Sequence, residues 1–439
     1  MIVKKRLILY IISFVVFTII AFFIILSSQG YFFDSKSRSF KKLGMVLIRS
    51  VPKNVDIYLD DKFKKNKAPL NISVYPGDHV LRVEKEGYIT WEKQFSIKSS
   101  IVTWLEYIFL IPKNRSTNSI TTDGIKNYAI SPDYTKTAFV DLKNNVWSAS
   151  LKNNEQKKIY TSEQANENVE IQEWSYNSKN LLLKISNGND KKYKLIIDEK
   201  VYDLEFPNNI SKIEFIANSD NSVFILSDLN LYTVSQNSRT AKEEKILDFN
   251  QNQNHVFFIK NNSNEQEIWQ SDFDFRVKDK LTTEKDKNIH LFPGEKERFA
   301  YTISSDNNLF NLEKGEKQKI SSNIKDVIWT KDDKQIVYRT DKEINVYTFE
   351  SDNPDEPKNR ITTRLSGIIN DMIWFYDYKH ILFRTDKEIN FIEIDGDNPI
   401  TLTDSAGPDK FTATKLGKSL IFIEQKDKFK NIKVMKLVE

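Results

Sequence analysis

One segment of this chain is repeated almost verbatim. Trp329 opens a stretch that ends in Arg339-Thr340-Asp341-Lys342-Glu343-Ile344-Asn345, and 45 residues later Trp374 opens another that ends in Arg384-Thr385-Asp386-Lys387-Glu388-Ile389-Asn390. A period near forty that holds several short apolar runs and no helical pattern is the mark of propeller blades, small sheets that cannot cover both of their faces alone.

Written as a rule, the repeat is an apolar anchor residue, a polar turn, and an apolar run that begins seven positions after the anchor residue. Trp329 leads to Ile336 and Trp374 to Ile381; the same step joins Trp174 to Leu181, Ile216 to Val223, Phe249 to Val256, Phe292 to Phe299 and Ala413 to Leu420, while Ile130 to Ala138 is one residue longer. These eight copies follow one another at 44, 42, 33, 43, 37, 45 and 39 residues, room for four strands and their turns. The count gives eight blades, with seven as the alternative.

In each copy the first strand is expected to end at the anchor residue. The second is an unbroken apolar run, such as Leu181-Leu182-Leu183, Val256-Phe257-Phe258-Ile259 or Leu420-Ile421-Phe422-Ile423, as fits a strand buried on both faces. The third alternates, as in Ile344 and Val346, and the fourth is Thr-rich, as in Leu281-Thr282-Thr283 and Ile361-Thr362-Thr363. Another run of that last kind, Ile120-Thr121-Thr122, precedes the first copy, whereas the last copy ends at Leu437 with three strands. The early run is therefore expected to complete the last blade and close the ring.

The segment Ile130-Ser131-Pro132-Asp133-Tyr134-Thr135-Lys136-Thr137-Ala138-Phe139 resembles the WD40-like repeats of the TolB type, whose blades carry Trp-Ser-Pro-Asp-Gly-Lys before an Ala-Phe strand. Trp174-Ser175, Trp329 and Trp374 keep parts of the pattern, and no copy shows its turn glycine. The resemblance implies a propeller over residues 120–439 and, being one of fold, names no ligand.

The N-terminus decides a second question. Leu7 to Leu26 is a run of 20 residues without charge, preceded by Lys4-Lys5-Arg6, the pattern of a membrane-spanning helix whose short N-terminal tip stays cytoplasmic and whose remainder lies outside. A cleaved signal peptide competes with this reading. Its apolar core would be about 7 to 15 residues and end in small residues, whereas this core is longer and Ser28-Gln29-Gly30 is a poor cleavage site. The chain has no cysteine, which excludes disulfides, zinc–thiolate sites, a cysteine nucleophile and a lipid-modified N-terminal cysteine. Beyond the basic tip, 62 Lys and Arg face 61 Asp and Glu. That balance offers no basic field for phosphates, so no nucleic-acid partner is expected.

Between helix and repeats lies a separate small β unit. Ser35 to Lys42 is polar and basic and reads as a tether; strands and turns then follow quickly, with Val55-Asp56-Ile57-Tyr58-Leu59 alternating, Asp60-Asp61-Lys62 and Tyr75-Pro76-Gly77-Asp78-His79 as turns, and Val80-Leu81-Arg82-Val83 running on to Gly87-Tyr88. This order resembles the PEGA domain, a small β-sandwich module of envelope and surface proteins. Ser50-Val51-Pro52 stands for its Ser-x-Pro, Asp60-Asp61 for its Asp-Gly, Ala68-Pro69-Leu70 for Thr-Pro-Leu, Gly77-Asp78-His79 for Gly-x-His and Gly87-Tyr88 for Gly-Tyr. The naming motif is replaced by Lys53-Asn54-Val55, which leaves Asn54 to supply the turn conformation of the missing glycine. The resemblance implies no catalytic residue.

Ile101 to Pro112 is the most apolar run outside the helix, and it is too short to span a bilayer. It reads as the last strand of the small domain, packed where the propeller begins. The alternative is an element that touches the bilayer surface through Trp104 and Tyr107.

Motifs for chemistry are absent from the sequence. No glycine forms Gly-x-Ser-x-Gly or a phosphate loop, and His79, His255, His290 and His380 are dispersed, as turn or strand-end residues would be. Asp332-Asp333 and Asp395-Gly396-Asp397-Asn398 read as hairpin turns without the calcium-loop order. Lys62, Lys64, Lys65 and Lys67 crowd one turn, with a solvated surface as the default and anionic lipid or wall polymer as the alternative.

The sequence therefore indicates an all-β chain with one N-terminal transmembrane helix: cytoplasmic tip 1–6, helix 7–26, tether 27–43, PEGA-like β-sandwich 44–112 and β-propeller 113–439. No catalytic, cofactor-binding or metal-binding residue is assigned and no cofactor is expected. The expected partners are the membrane, through the helix, and a protein or cell-envelope polymer. The expected work is binding or scaffolding outside the membrane, the alternative being an extracytoplasmic hydrolase or lyase with carboxylates gathered at the propeller's central mouth. The tryptophans Trp174, Trp329 and Trp374 are read as packing residues with no hydrogen-bonding role in common with the apolar residues at the same position.

Overall fold

The computed structural model describes residues 2–34, 38–164, 166–206, 209–236, 238–303, 306–313, 315–351, 357–426 and 428–438. The chain is mostly β with one long helix, Ile2–Ser28. It divides into two compact units: Met1–Arg115 with Leu437–Glu439, and Ser116–Lys436.

The larger unit is an eight-bladed propeller of four-stranded antiparallel sheets. The first strands of blades 1 to 8 are Ile125–Ile130, Asn168–Trp174, Ile210–Phe215, Ile246–Gln251, His290–Pro293, Asp326–Trp329, Asp371–Trp374 and Thr412–Ala413. They lie innermost, around the axis. In five blades the anchor residue is the direct cross-strand partner of the residue seven positions on: Ile130 with Thr137, Trp174 with Leu181, Trp329 with Ile336, Trp374 with Ile381 and Ala413 with Leu420. Elsewhere the register is displaced, so that Phe249 faces Phe258 and Phe292 faces Ala300.

The unbroken apolar second strands have a geometric cause. Successive side chains of a strand point to opposite faces, and both faces of a blade are covered by neighbours. Leu181 and Leu183 pack with Ala138, Val140 and Val146 of the blade before, while Leu182 packs with Phe215, Val223 and Ile225 of the blade after. The core of the propeller is thus a succession of clusters between blades.

Blade 8 is completed from the start of the unit, as expected, but not by the expected residues. Thr117–Ser119, three residues before the Thr-rich run, pairs with Phe429–Lys436. Ile120 continues the ladder with its N–H on the Ile432 carbonyl at 2.8 Å, and the Thr121 hydroxyl then accepts the Ile432 N–H at 3.0 Å. Thr121 therefore closes the edge with its side chain, because the backbone has already begun to turn toward blade 1.

The smaller unit holds a four-stranded sheet and a three-stranded sheet around one core that includes Val46, Ile48, Ile57, Leu81, Val83, Trp91 and Ile108. Asn54 does adopt the left-handed conformation, with φ of 60°, and Asp60 and Asp61 both do so in the two-residue turn between Asp56–Leu59 and Lys62–Lys64. His79 lies inside the strand Gly77–Glu84, unlike the other histidines, and its Nδ1 is 2.7 Å from the Asp60 carboxylate. Lys62 and Lys64 belong to a strand rather than a turn. Ile101 to Pro112 supplies the strand Val102–Phe109, which runs parallel to Gly44–Val51.

The tether reading needs correction. Tyr31–Asp34 and Ser39–Lys42 pair as a hairpin, and the Leu43 N–H returns to the Gly30 carbonyl at 3.2 Å. The first strand of the small domain thus begins beside the end of the helix. Of the expected tether, residues 35–37 lie outside the described residues.

Ring closure is open to a direct test. Deleting residues 117–121 from the full chain leaves Phe429–Lys436 as a bare edge and removes Ile120 from its cluster with Ile125, Ile421 and Ile432, a loss on the order of several kcal/mol. The propeller should melt at clearly lower temperature in calorimetry, and an unchanged transition would show that the ring does not depend on this strand.

Candidate binding mouth

The turns that link first to second strands all emerge at one end of the ring, and they share a local code. The residue after the anchor residue is Ser131, Ser175, Thr330 or Thr414, and its hydroxyl accepts the N–H five residues on, at 2.9–3.1 Å. In three of these the same hydroxyl donates to Asp133, Asn177 or Asp332 at 2.7 Å. The fourth residue after the anchor residue turns left-handed: Tyr134, Ser178, Asp333, Tyr378 and Gly417 have φ of 60°, 65°, 60°, 53° and 64°. The turn glycine is therefore present once, as Gly417, in a copy whose small Ala413 disguised it. A Cβ there would lie 2.1 Å from the Phe375 ring.

At this end, four adjacent blades present exposed apolar side chains from the same turn: Tyr376 of blade 7, Leu416 of blade 8, Tyr134 of blade 1 and Tyr176 of blade 2 are 36%, 56%, 37% and 44% exposed. Single exposed apolar residues need no explanation, but four in consecutive repeats form an arc. The turn of blade 5 brings Glu295 instead. That turn is folded around the buried Asp333 carboxylate of blade 6, which accepts the N–H groups of Glu295, Lys296, Glu297 and Arg298 at 2.7, 2.9, 2.9 and 3.1 Å. Gly294 permits the approach, since a Cβ would sit 2.6 Å from the Asp333 Oδ2. Burial pushes the Tyr176 hydroxyl up in pKa, with Glu173, Glu214 and Glu295 adding to it, and burial likewise raises Tyr378, with Glu295 and Asp332 adding. Residues of blades 2, 5 and 7 thus stand at the same end of the ring.

Below the opening, side chains latch each inner strand to its neighbour. Asn127 accepts the Ile171 N–H at 2.8 Å, Glu173 accepts the Phe215 N–H, and Gln251 accepts the Ala217 N–H at 2.9 Å. The indoles of Trp174, Trp329 and Trp374 donate to the carbonyls of Ala129, Phe292 and Ile328 at 3.0, 2.9 and 3.0 Å. These tryptophans do pack in the clusters between blades, yet they also share a hydrogen bond that their apolar counterparts cannot make. The repeated Arg339 and Arg384 do the same work at the other end of their strands, donating to the Ile369 and Pro408 carbonyls of the following blade at 2.7 and 3.0 Å.

The axial charges gather in blades 2 to 4. Lys212 stands 3.3 Å from Glu214 and 3.2 Å from Asp248, and it donates to the Phe249 carbonyl. Burial pushes the Glu173 carboxyl up to about 8, with repulsion from Glu214 adding to it and the Phe215 N–H and Lys212 opposing it. Glu214 is also raised by burial, against Lys212 and Gln251. On the far side Asp326 is raised by burial and by Asp371, against its bonds to the Val327 N–H and the charge of Arg339. None of these residues was singled out in the sequence. Their one signal is position, because Glu173, Glu214 and Asp248 stand one or two residues before an anchor residue.

Two other features are accounted for locally. A cleft of about 960 Å³ beside blade 2 is lined by Lys194, Glu163 and Asp203, which pair with one another at 3.1 and 2.8 Å. Glu393, Asp395 and Asp397 come within 4.8 Å of one another in the turn expected from the sequence, which Asn398 braces by donating to Glu393 at 2.8 Å. His380 opens a strand and is buried against Asp377 at 2.7 Å, and His255 and His290 also stand at strand starts.

Residues 43–110 match the PEGA domain. No curated protein matches the chain. Among solved structures, the C-terminal WD40 domain of Sif2 is similar at 12% identity and a TM-score of 0.51, covering 74% of this chain and 99% of that one. A eukaryotic initiation factor is similar at 10% identity and the same TM-score, covering 72% of this chain and 86% of that one. At such identities the likeness is one of fold alone.

The geometry makes two predictions. Trp329→Ala should cost about 3 to 5 kcal/mol, as large truncations in a core do, and Trp329→Phe should recover part of it without the indole bond; an unchanged denaturation midpoint for Trp329→Ala would remove this residue from the core. Glu173 holds a proton in the folded chain that the unfolded chain releases above its ordinary value of 4.5, so its contribution to stability is full below that value and lost as pH rises through about 8. Glu173→Gln keeps the acceptor for Phe215 and should flatten this dependence, melting near the parent at pH 5 and above it at pH 9. Parallel melting curves across that range would contradict the burial of this carboxyl.

Proposed function

We propose that this is a membrane-anchored binding or scaffolding protein. Its helix holds the PEGA module and the propeller outside the membrane, with Lys4-Lys5-Arg6 at a cytoplasmic tip, and the axial mouth engages a protein or an envelope polymer. The helix supports the first part: Tyr10–Ser28 has a mean hydropathy of 2.7 and none of it is buried. Ser131-Pro132-Asp133 and its partial copies support a TolB-type propeller. The observation that carries the reading is the arc of Tyr376, Leu416, Tyr134 and Tyr176 on four consecutive blades. Exposed tyrosines offer large, stiff contact area, which is how binding surfaces are built. We assign no catalysis, since the axial side chains are engaged as latches between blades.

Glu173 and Glu214 nevertheless favour one second reading, a hydrolase or lyase that uses a carboxyl raised to about 8 as general acid. Both readings meet in one experiment. A photo-crosslinking residue placed at Tyr134 or Tyr176 in native membranes should yield a defined adduct that the same residue at Phe429, on the last blade, does not. Protease added to spheroplasts should in parallel degrade all but a short membrane-bound stub. Full protection would overturn the placement outside, and loss of substrate turnover in Glu173→Gln, with adducts absent at both tyrosines, would transfer the assignment to the enzyme.

A further inference from the structure

Exposed apolar side chains are unevenly spread in this protein. Outside the helix, ten large ones lie between Phe32 and Trp104, and only eleven in the far longer propeller, among the described residues. Most of the ten crowd the end of the small domain where the helix arrives. The hairpin supplies Phe32, Phe33 and Phe40, and the domain supplies Met45, Tyr75, Ile101, Val102 and Trp104.

The hairpin is fixed in place from both sides. Its return to the helix end is the Leu43 N–H on the Gly30 carbonyl at 3.2 Å, and the Leu43 carbonyl in turn accepts the Ser100 N–H at 3.1 Å. Ser99 donates to the Lys42 carbonyl at 3.2 Å and Tyr75 to that of Phe33 at 3.3 Å. Phe40 stacks edge-on with Phe33 at 5.4 Å between centroids and meets Phe23 of the helix at 6.3 Å. Phe23 lies five residues before the helix ends at Ser28, about 7.5 Å along the axis. The hairpin is therefore folded back beside the last turns of the apolar stretch rather than raised above it.

The exposed face of the three-stranded sheet continues this surface. Met45 pairs with Val102 and Leu47 with Trp104 across the parallel strands, and Trp104 is 60% exposed. Basic residues border the aromatic ones: Lys41 is the partner of Phe32, and the Lys42 amine lies 5.6 Å from the Tyr31 ring.

We infer that the paired strands Tyr31–Asp34 and Ser39–Lys42, continued by Ile101 to Trp104, are a membrane-interface element: their phenylalanines enter the outer leaflet beside the protein's own helix while Lys41 and Lys42 meet the phosphates of anionic headgroups. Aromatic rings favour that depth and basic side chains favour the phosphate level. The inference rests on the helix spanning a bilayer. Its consequence is mechanical, for the small domain is then seated on the membrane rather than swinging on a tether.

The absence of native cysteine makes the test clean. Phe22→Cys in the helix, Phe32→Cys and Phe33→Cys in the hairpin, and Phe429→Cys on the propeller are each labelled with a small fluorophore in the full chain. Each is reconstituted in nanodiscs of phosphatidylcholine with phosphatidylglycerol, doped with lipid that carries a nitroxide close to the headgroup. Quenching at Phe32 and Phe33 should be comparable with that at Phe22, and absent at Phe429. Quenching at Phe22 alone would overturn the inference and leave the membrane helix standing. No quenching at Phe22 would overturn both. Shielding of Phe32 and Phe33 from lipid nitroxide and aqueous iodide together would assign the surface to a second copy of the chain and overturn the inference. In Lys41→Gln with Lys42→Gln, quenching at Phe32 should fall in discs with phosphatidylglycerol and hold in phosphatidylcholine alone, and an unchanged value in both would overturn the phosphate contact.

Discussion

The propeller depends on one constraint, the burial of each second strand on both faces. Leu182 lies beside Leu195 and Tyr193 on one face of its own blade, and that face is buried because Phe215 and Val223 of the next blade cover it. Full burial of one such side chain is worth about 1.5 to 3 kcal/mol, and the gain exists only while the neighbour is in place. No blade is therefore a stable object by itself, and an open series would leave two faces and an edge uncovered. That is why the chain brings Thr117–Ser119 back to the last blade, and why Thr121 finishes the ladder with a side-chain oxygen where the backbone cannot.

The same constraint separates what the sequence reveals from what it conceals. Apolar runs and anchor residues are legible because covering two faces demands particular residue types at particular steps. Eight copies could be found even where Trp gives way to Ile, Phe or Ala. The exact pairing is less legible, since burial tolerates a shift of one or two residues, as Phe292 and Phe249 show. The pairing after the helix is hidden because Ser35 to Lys42 is polar by composition, while the pairing sets Phe32 and Phe33 ahead of that segment against Lys41 and Phe40 within it.

The axial residues were illegible for a different reason. Glu173 and Glu214 are 41 positions apart, and each shares its first strand with another charged residue, Glu170 or Lys212, so that neither stands out. They meet only because the ring brings the same strand of successive blades to the axis, where Glu173 of one blade accepts the Phe215 N–H of the next. The tryptophan indoles behave likewise. Their hydrogen bonds cross from blade to blade, so a comparison of residue types at one position cannot detect them. Contacts that depend on closure carry no local signature.

The turns at the mouth show how a position shaped by folding is put to another use. Left-handed backbone at the fourth residue after the anchor residue is required by every turn of this kind, and glycine meets it without cost. Tyr134 and Tyr378 adopt it as well, at about 1 to 2 kcal/mol each for a side chain with a Cβ. Tyr134 is 37% exposed, so its side chain is not a core residue. Ser178 and Asp333 hold the same conformation, but Ser178 is buried and its hydroxyl accepts the Asp133 N–H of the blade 1 turn at 3.0 Å, while Asp333 is occupied with the blade 5 turn. Turn residues throughout the chain are left-handed without being glycine, and at an exposed tyrosine the cost fits a residue kept for contact with something outside the chain, as the proposed function supposes. Under the proposed function it is at Tyr134, with its neighbours on blades 2, 7 and 8, that binding rather than folding would select the residue.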